Sequence, residues 1–277
     1  MSDSPASSHA YPVGRLRRTV LEMAYAGSTV HIGCAFSIIE LLAVLYRRFL
    51  RYPDNHPDAE GRDFLVLSKG HGVMAQYACM VERGWLGPND VANYFKDGSH
   101  LKGLSDSRVP GLEVTSGSLG HGFSVGVGMA MGALRRGTDQ KVYAVVGDGE
   151  INEGPIWEGA LVAAHHGLHN LMLIVDKNGF QAMGTTDEVL ALGDLDAKLA
   201  SFGFDTVTVN GHDEAAIEAA ITALWKGPGH KPKALIANTV KGKGVSFMEN
   251  DNRWHYTRLD AARYAAALAE VDSGVAP

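Results

Sequence analysis

Cysteine is scarce: the 277-residue chain has two, Cys34 and Cys79, in unrelated contexts. Neither a disulfide framework nor a zinc-ligand spacing follows, and a reducing cytoplasm is the expected setting. Positive charge is not in excess either. The net charge of -6 and pI near 6.0 remove the electrostatic case for nucleic acid or an anionic membrane surface. No apolar run reaches the ~18 residues of a membrane helix. The opening MSDSPASSHAYPVG lacks the apolar region of a signal peptide, and residues 1–14 are expected to be a flexible segment. A strict G-x-G-x-x-G after a strand is also missing, which argues against a nicotinamide-type nucleotide module.

What the chain does have is glycine, 33 residues of it in clusters, and a 45% hydrophobic content. A chain of this length buries roughly three quarters of its unfolded surface, enough for one large domain spanning 1–277. After a helix-like RLRRTVLEMAYAG (15–27), Ser37 and Glu40 form a capping-box pattern opening a helix through IIELLAVLYRRFL (38–50). DFLVLS (63–68) reads as a buried strand, and VMAQYACMVERG (73–84) as a helix stopped by Gly84. Residues 83–114 are loop-rich, punctuated by Pro88 and Pro110.

From there, apolar strands alternate with amphipathic helices. The strands are 141–146, 171–176, 205–209 and 234–240, and the helices 153–168, 194–203 and 213–227, with a terminal helix over 257–271. Short, continuously apolar strands of this kind are parallel strands covered on both faces. The fold class is therefore α/β, a doubly wound and mainly parallel sheet of about five strands. Ligands of such sheets bind outside the carboxyl ends of the strands.

Two strand ends carry suitable chemistry. AVVGDGEINEG (144–154) ends a strand on Asp148 between two glycines, and DKNGF (176–180) places Asn178 at the next strand's end. If the strands are neighbours, a carboxylate and an amide oxygen converge. Both are hard ligands suited to Mg²⁺ or Ca²⁺, an ion whose shell is often completed by water and phosphate oxygens. A helix starting near Glu153 would aim free N–H groups at the same place. Each feature alone also has an ordinary use, Asp148 as a turn or cap residue and Asn178-Gly179 as a tight turn. The glycines at 117, 120, 122, 126, 128 and 132 suit a helix packed closely on a neighbour or on a flat ligand, and both readings stay open. Four histidines, His31, His71, His100 and His255, sit in Gly-rich or polar loops, where imidazole can move protons near neutrality. His165, His166 and His169 read as structural or exposed.

In these residues the chain resembles transketolase, specifically its N-terminal, diphosphate-binding half, from about Arg15 to about Leu259. The blocks that carry the likeness are HIGCAFSIIELLAVLY, LSKGHG, PGLEVTSGSLGHGFSVGVGMA, GDGEINEGPIWEGALVAAHHGLHNLMLIVDKNGFQAMG and VKGKGVSFMENDNRWH. GDG with an Asn about thirty residues on is the thiamin-diphosphate signature, and the SKGHG and KGKGVSFMEN…WH blocks narrow it to transketolase. The resemblance implies that Asp148, Asn178 and the carbonyl of Phe180 hold Mg²⁺, with Ca²⁺ as a substitute. It implies that Gly149 touches the diphosphate, and that Gly117 and Leu119 meet the cofactor through the backbone. It also places His71 and His255 beside cofactor and reacting sugar, His31 at substrate hydroxyls, and Glu153 near a subunit contact and the network activating the cofactor. The implied reaction transfers a two-carbon ketol unit from a ketose to an aldose.

Two departures from the family pattern shape the expectation. The pyrimidine-binding half, with its activating carboxylate, is not part of this sequence. A split enzyme is expected, with a second, C-terminal subunit, an α2β2 assembly, a site at the interface and no activity from this chain alone. The family's G-H-P-D/E loop reads GLSD at 103–106, so that Leu104 stands where a donor-contacting histidine is usual. His100 is the expected replacement, and a branched or sulfonated donor is a candidate. Alternative readings are a deoxyxylulose-phosphate synthase-like enzyme, a 2-oxoacid dehydrogenase component, and a non-catalytic cofactor-binding subunit.

Overall fold

The computed structural model describes residues 9–227 and 229–274. Its helices up to the glycine-rich segment are α1 (Val13–Ala26), α2 (Ile32–Phe36), α3 (Ile39–Val44), α4 (Val73–Glu82), α5 (Pro88–Ala92) and α6 (His121–Arg135), with β1 (Phe64–Leu67) between α3 and α4. Then follow β2 (Val142–Gly147), α7 (Gly154–His165), β3 (Leu171–Lys177), a small antiparallel pair β4 (Phe180–Gln181) and β5 (Gly184–Thr185), α8 (Thr186–Leu190), α9 (Leu195–Ser201), β6 (Asp205–Asn210), α10 (Glu214–Lys226), β7 (Lys233–Asn238) and α11 (Ala261–Ser273).

The main sheet has strand order β1-β2-β3-β7-β6, and every pairing in it is parallel. The inner strands β2 and β3 are apolar almost without a break because each face is covered, whereas the edge strand β6 (DTVTVN) alternates and is only partly buried. Tyr143 and Val145 of β2 join a core with α1, α3 and α4, whereas Val142, Ala144 and Val146 join a second core with α6 and α7. β3 divides the same way, Met172 and Ile174 against Leu171, Leu173 and Val175. The alternation is the period of two that a pleated strand imposes.

The glycine-rich segment forms α6, and its glycines serve close packing. A Cβ on Gly122 would lie 2.7 Å from the Ser68 Cα at the end of β1, and one on Gly159 of α7 would lie 3.1 Å from the Phe123 ring. Gly128, on the exposed side of α6, has nothing within 4 Å.

Several local expectations are corrected. The capping box of Ser37 and Glu40 does not form. The helix starts at Ile39, Ser37 Oγ donates to Asp176 Oδ2 (2.7 Å), and Glu40 accepts from Arg17 (2.5 Å). Both side chains satisfy buried charges that matter more than a helix end. The expected long helix changes to a π-helical turn over Leu45–Phe49. Strand β7 ends at Asn238 rather than 240, and the last helix starts at Ala261 behind an Asp260 cap rather than at 257. Of the expected flexible segment, residues 1–8 lie outside the described residues. Tyr11, by contrast, is fully buried and Val13 opens α1. Among the described residues no helix is long and apolar enough to cross a membrane.

Paired substitutions test the packing reading. Gly122→Ala should lower the unfolding free energy by about 1–3 kcal/mol, because the backbone at Ser68 has to move. Gly128→Ala should raise it by about 0.5–1 kcal/mol, the gain of replacing a helical glycine where space is open. Denaturant unfolding of the purified chain measures both, and equal effects would contradict the assigned faces.

Candidate active site

Strands β2 and β3 run side by side, with Gly147 in register with Asp176. The chain leaves both at the same level, and Asp148 N–H donates to the Asp176 carbonyl (3.1 Å). The two tips therefore converge. Asp148 is buried, and its carboxylate accepts from Gly149 N–H (2.8 Å) and, across the junction, from Gly179 N–H (2.6 Å). Asn178 is set by its neighbours: Nδ2 donates to Asp176 Oδ2 (2.9 Å) and Oδ1 accepts from Phe180 N–H (3.0 Å).

Asp176 is fully buried and anchors this arrangement. It receives the Lys69 ammonium, Ser37 Oγ, Thr239 Oγ1 and Asn178 Nδ2. Burial opposes its charge, but Lys69 and these donors outweigh burial and hold its carboxyl below the usual range. Asp148 shows the opposite balance. Burial first, and then the Asp176 charge, push its carboxyl up to about 7. A carboxylate disfavoured on both counts is one that a divalent cation stabilises. The donors beside it are the Asn178 amide oxygen and the backbone of Phe180, hard oxygens of the kind Mg²⁺ takes. The residues fit such an ion.

The tips open into a cleft of ≈ 300 Å³. His31, His71, Leu104, Gly117, Leu119, Asp148, Gly149, Glu153, Asn178, Phe180 and His255 all line it, so eleven residues singled out along 225 positions meet at one place. The three histidine rings stand 5.1 to 5.4 Å apart, centroid to centroid. All are held neutral. Burial, followed by Lys241 and Lys69, lowers His31 to about 4, and burial with Lys241 lowers His255 to about 3. Burial and Lys69 take His71 well below its ordinary value. His31, Cys34 and His255 bring ligand atoms within 4.8 Å of one another, but the same ammonium groups oppose a cation there.

His100 is the exception. It does not line the cleft, and it lies exposed beside Asp90 (3.8 Å), where it lines a different surface pocket. Leu101 takes the buried position, its carbonyl accepting from Phe95 N–H (3.2 Å). The expected replacement of Leu104 by His100 is therefore not made. Glu153 reaches the cleft as an exposed residue at the start of α7.

Sequence reasoning missed the buried acid here, Glu150. Its carboxylate accepts from Ser68 Oγ, Gly120 N–H (2.8 Å) and Gly147 N–H (3.1 Å), tying the end of β1, the start of α6 and the Gly-Asp-Gly turn together. It also missed a second clamp. His212 Nε2 accepts from Val240 N–H (2.7 Å), so Nδ1 carries the proton that it donates to Glu40 (3.0 Å). Arg17 joins the same carboxylate and donates from Nε to the Lys243 carbonyl (2.8 Å). Together they fix the KGKG loop, whose Gly242 and Gly244 have φ of 79° and 93°. The loop in turn places Lys241 Nζ 3.0 Å from His255 Nδ1 and 2.7 Å from Asn252 Oδ1.

Comparison with known proteins agrees with this geometry. Residues 12–272 match the family model described as transketolase, thiamine diphosphate binding domain. The chain belongs to the transketolase family. It is 38% identical over 259 residues to one subunit of the apulose-4-phosphate transketolase of Phocaeicola vulgatus, covering 94% of this chain and 92% of that one. It is 36% identical to the 6-deoxy-6-sulfo-D-fructose transketolase subunit SqwG of a Clostridium species, with 93% and 94% covered. A solved transketolase from Campylobacter jejuni superposes with a TM-score of 0.83 at 26% identity. The alignment covers 94% of this chain but 43% of that transketolase, so the chain spans less than half of the solved enzyme. This is the N-terminal, thiamin-diphosphate-binding part of a split transketolase.

The neutral histidines make stability depend on pH with a definite sign. In the unfolded chain histidine binds its proton near pH 6.5, whereas folded His31 stays neutral to about 4. Its contribution is therefore fully present above pH 6.5 and is lost as pH falls towards 4. Between pH 7 and 5 the chain should lose roughly 1 kcal/mol relative to His31→Asn, a figure discounted for partial exposure. Asparagine tolerates the left-handed φ of 70° at this position. Urea unfolding at both pH values measures the difference, and parallel losses in the two proteins would contradict the assignment.

Proposed function

We propose that this chain holds the diphosphate end of thiamin diphosphate, through a divalent cation such as Mg²⁺, in a transketolase completed by a pyrimidine-binding subunit. Two copies of each chain form the assembly, in the cytoplasm. The reaction moves a two-carbon ketol unit from a ketose to an aldose. The observation that carries this reading is the convergence of Asp148 and Asn178 at adjacent strand tips, in one cleft with three neutral histidines.

Bound thiamin diphosphate supplies the carbanion chemistry; the chain's own residues bind, orient and move protons. Asp148, the Asn178 amide oxygen and the Phe180 carbonyl would hold the cation. Gly149 and the backbone at Gly117 and Leu119 would let the cofactor approach closely. His31, His71 and His255 are imidazoles ready to accept a proton from a sugar hydroxyl and to return it. Glu153, exposed at the cleft's edge, is suited to a contact with the second subunit.

The substrate is a modified sugar. Leu104 offers no hydrogen bond to a sugar hydroxyl, and the two relatives are named for apulose 4-phosphate and for 6-deoxy-6-sulfo-D-fructose. Both names fit a donor that differs from an ordinary pentose phosphate.

Reconstitution tests the proposal. Mixed with its partner subunit, thiamin diphosphate and Mg²⁺, the chain should transfer ketol units, and neither subunit should do so alone. Asp148→Asn keeps an oxygen for one backbone amide but removes the charge. Calorimetry should show cofactor binding weakened by at least about 10–100-fold, the cost of losing even a partner of a metal ligand, while the chain still unfolds cooperatively. Undiminished affinity would contradict the cation assignment.

A further inference from the structure

The Lys241 side chain is buried, 1% exposed, and its ammonium has two hydrogen-bond partners, Asn252 Oδ1 (2.7 Å) and His255 Nδ1 (3.0 Å). An ammonium has three N–H donors and no acceptor. His255 Nδ1 therefore receives this bond on its lone pair, and the proton of the neutral ring resides on Nε2. The Asn252 amide is oriented independently. Its Nδ2 donates to the Gln181 carbonyl (2.9 Å), which turns Oδ1 towards Lys241. Cys34 Sγ also lies near His255 Nδ1, at 3.8 Å, and burial keeps it a thiol, itself a weak donor. Among the described residues no oxygen accepts from this nitrogen, so the other tautomer would point an N–H at an ammonium.

Nε2 of the same ring is the opposite case. It has no hydrogen-bond partner among the described residues, yet it is not enclosed in the way that His31 Nδ1 is, and the ring lines the cleft. The N–H of His255 is thus presented to an occupant of the cleft. His31 and His71 differ. Burial and neighbouring charge act on them, but no protein group is hydrogen-bonded to a ring nitrogen of either, so no tautomer is imposed. The support of Lys241 is rigid. A Cβ on Gly33 would lie 3.2 Å from Lys241 Cγ, and one on Gly242, whose φ is 79°, would lie 2.3 Å from the Met248 carbonyl oxygen. Gly242 N–H donates to the Gly33 carbonyl (3.1 Å), and Asn250 N–H to the Lys241 carbonyl (3.0 Å). A bond from a charged donor is roughly twice as strong as one between neutral groups, so a cation held here decides the tautomer.

We propose that Lys241 is a positioning residue that holds His255 in its Nε2–H tautomer, so that this ring serves the reaction as a hydrogen-bond donor to a sugar oxygen and leaves proton acceptance to His31 and His71. The donor role rests on the transketolase reading, whereas the hold on the ring stands on this chain alone. It divides among three rings a task that their neutral state would let each perform. A donor fixed in place before the substrate arrives stabilises negative charge developing on that oxygen without reorganising.

Long-range proton–nitrogen NMR of the full chain, with isotope-labelled histidine and without cofactor, reads the tautomer at neutral pH. The His255 signals are identified by their loss in His255→Gln. The unsubstituted chain should carry the ring proton on Nε2, and Lys241→Met should add a detectable Nδ1–H population. A proton on Nδ1 in the unsubstituted chain, or an unchanged ring in Lys241→Met, overturns the hold. The donor role is read in the complex reconstituted with the partner subunit. Gln at position 255 still offers an N–H but has no nitrogen that takes up a proton. His255→Gln should keep at least about 10-fold more kcat than His255→Leu, since losing one such donor costs about 10²–10³ in rate. Equal losses overturn the donor role. A complex that transfers no ketol unit, while the chain shows the Nε2–H ring and its dependence on Lys241, would overturn the transketolase reading and leave the hold in place.

Discussion

The charge on Asp176 has no access to water, and the Lys69 ammonium keeps it there. Removing either partner of a buried pair leaves the other uncompensated, at a cost of about 3–5 kcal/mol. The pair also fixes position. Lys69 follows β1, Asp176 is the last residue but one of β3, Thr239 follows β7, and Ser37 connects α2 to α3. One carboxylate therefore ties three strand ends and a helical corner together, and it orients Asn178 through a fourth bond. Asp148 is buried and stands against this charge, and both effects raise its proton affinity, which suits it to the cation proposed above.

The same economy governs the histidines. Lys69 and Lys241 are buried beside them, and their positive charge adds to burial in keeping the rings neutral. Lys241 is itself placed by the KGKG loop, which hangs from Glu40 through His212 and Arg17. Rigid placement of neutral bases is what the proposed proton transfer between a sugar and its cofactor requires. The proposed cation site and the three histidines thus draw on one buried charge network.

Much of this was legible in the sequence. Five apolar strands, their parallel arrangement and the two oxygen-bearing strand ends follow from run length, alternation with helices and Gly-Asp-Gly, because those signals are local. Glu150, Asp176 and His212 gave no such signal. Most of their partners lie 28 to 172 residues away, and a charged residue at the end of an apolar run looks the same whether it faces solvent or a buried lysine. The Ser37–Glu40 pattern misled for the related reason that two good capping residues were recruited by distant charges. His100 misled because a loop position says nothing about facing: its neighbour Leu101 is the residue that turns inward. The glycines of α6 left two explanations open, and both apply at different places. Gly122 packs on β1, and Gly117, ahead of the helix, lines the cleft.

The most direct test is a crystal structure of the assembled enzyme with thiamin diphosphate and Mn²⁺, a divalent ion that anomalous scattering locates without ambiguity. The metal is predicted between the Asp148 carboxylate, the Asn178 amide oxygen and the Phe180 carbonyl, bridging to the diphosphate. An anomalous peak elsewhere, with the coenzyme bound and the tips of β2 and β3 vacant, would contradict it.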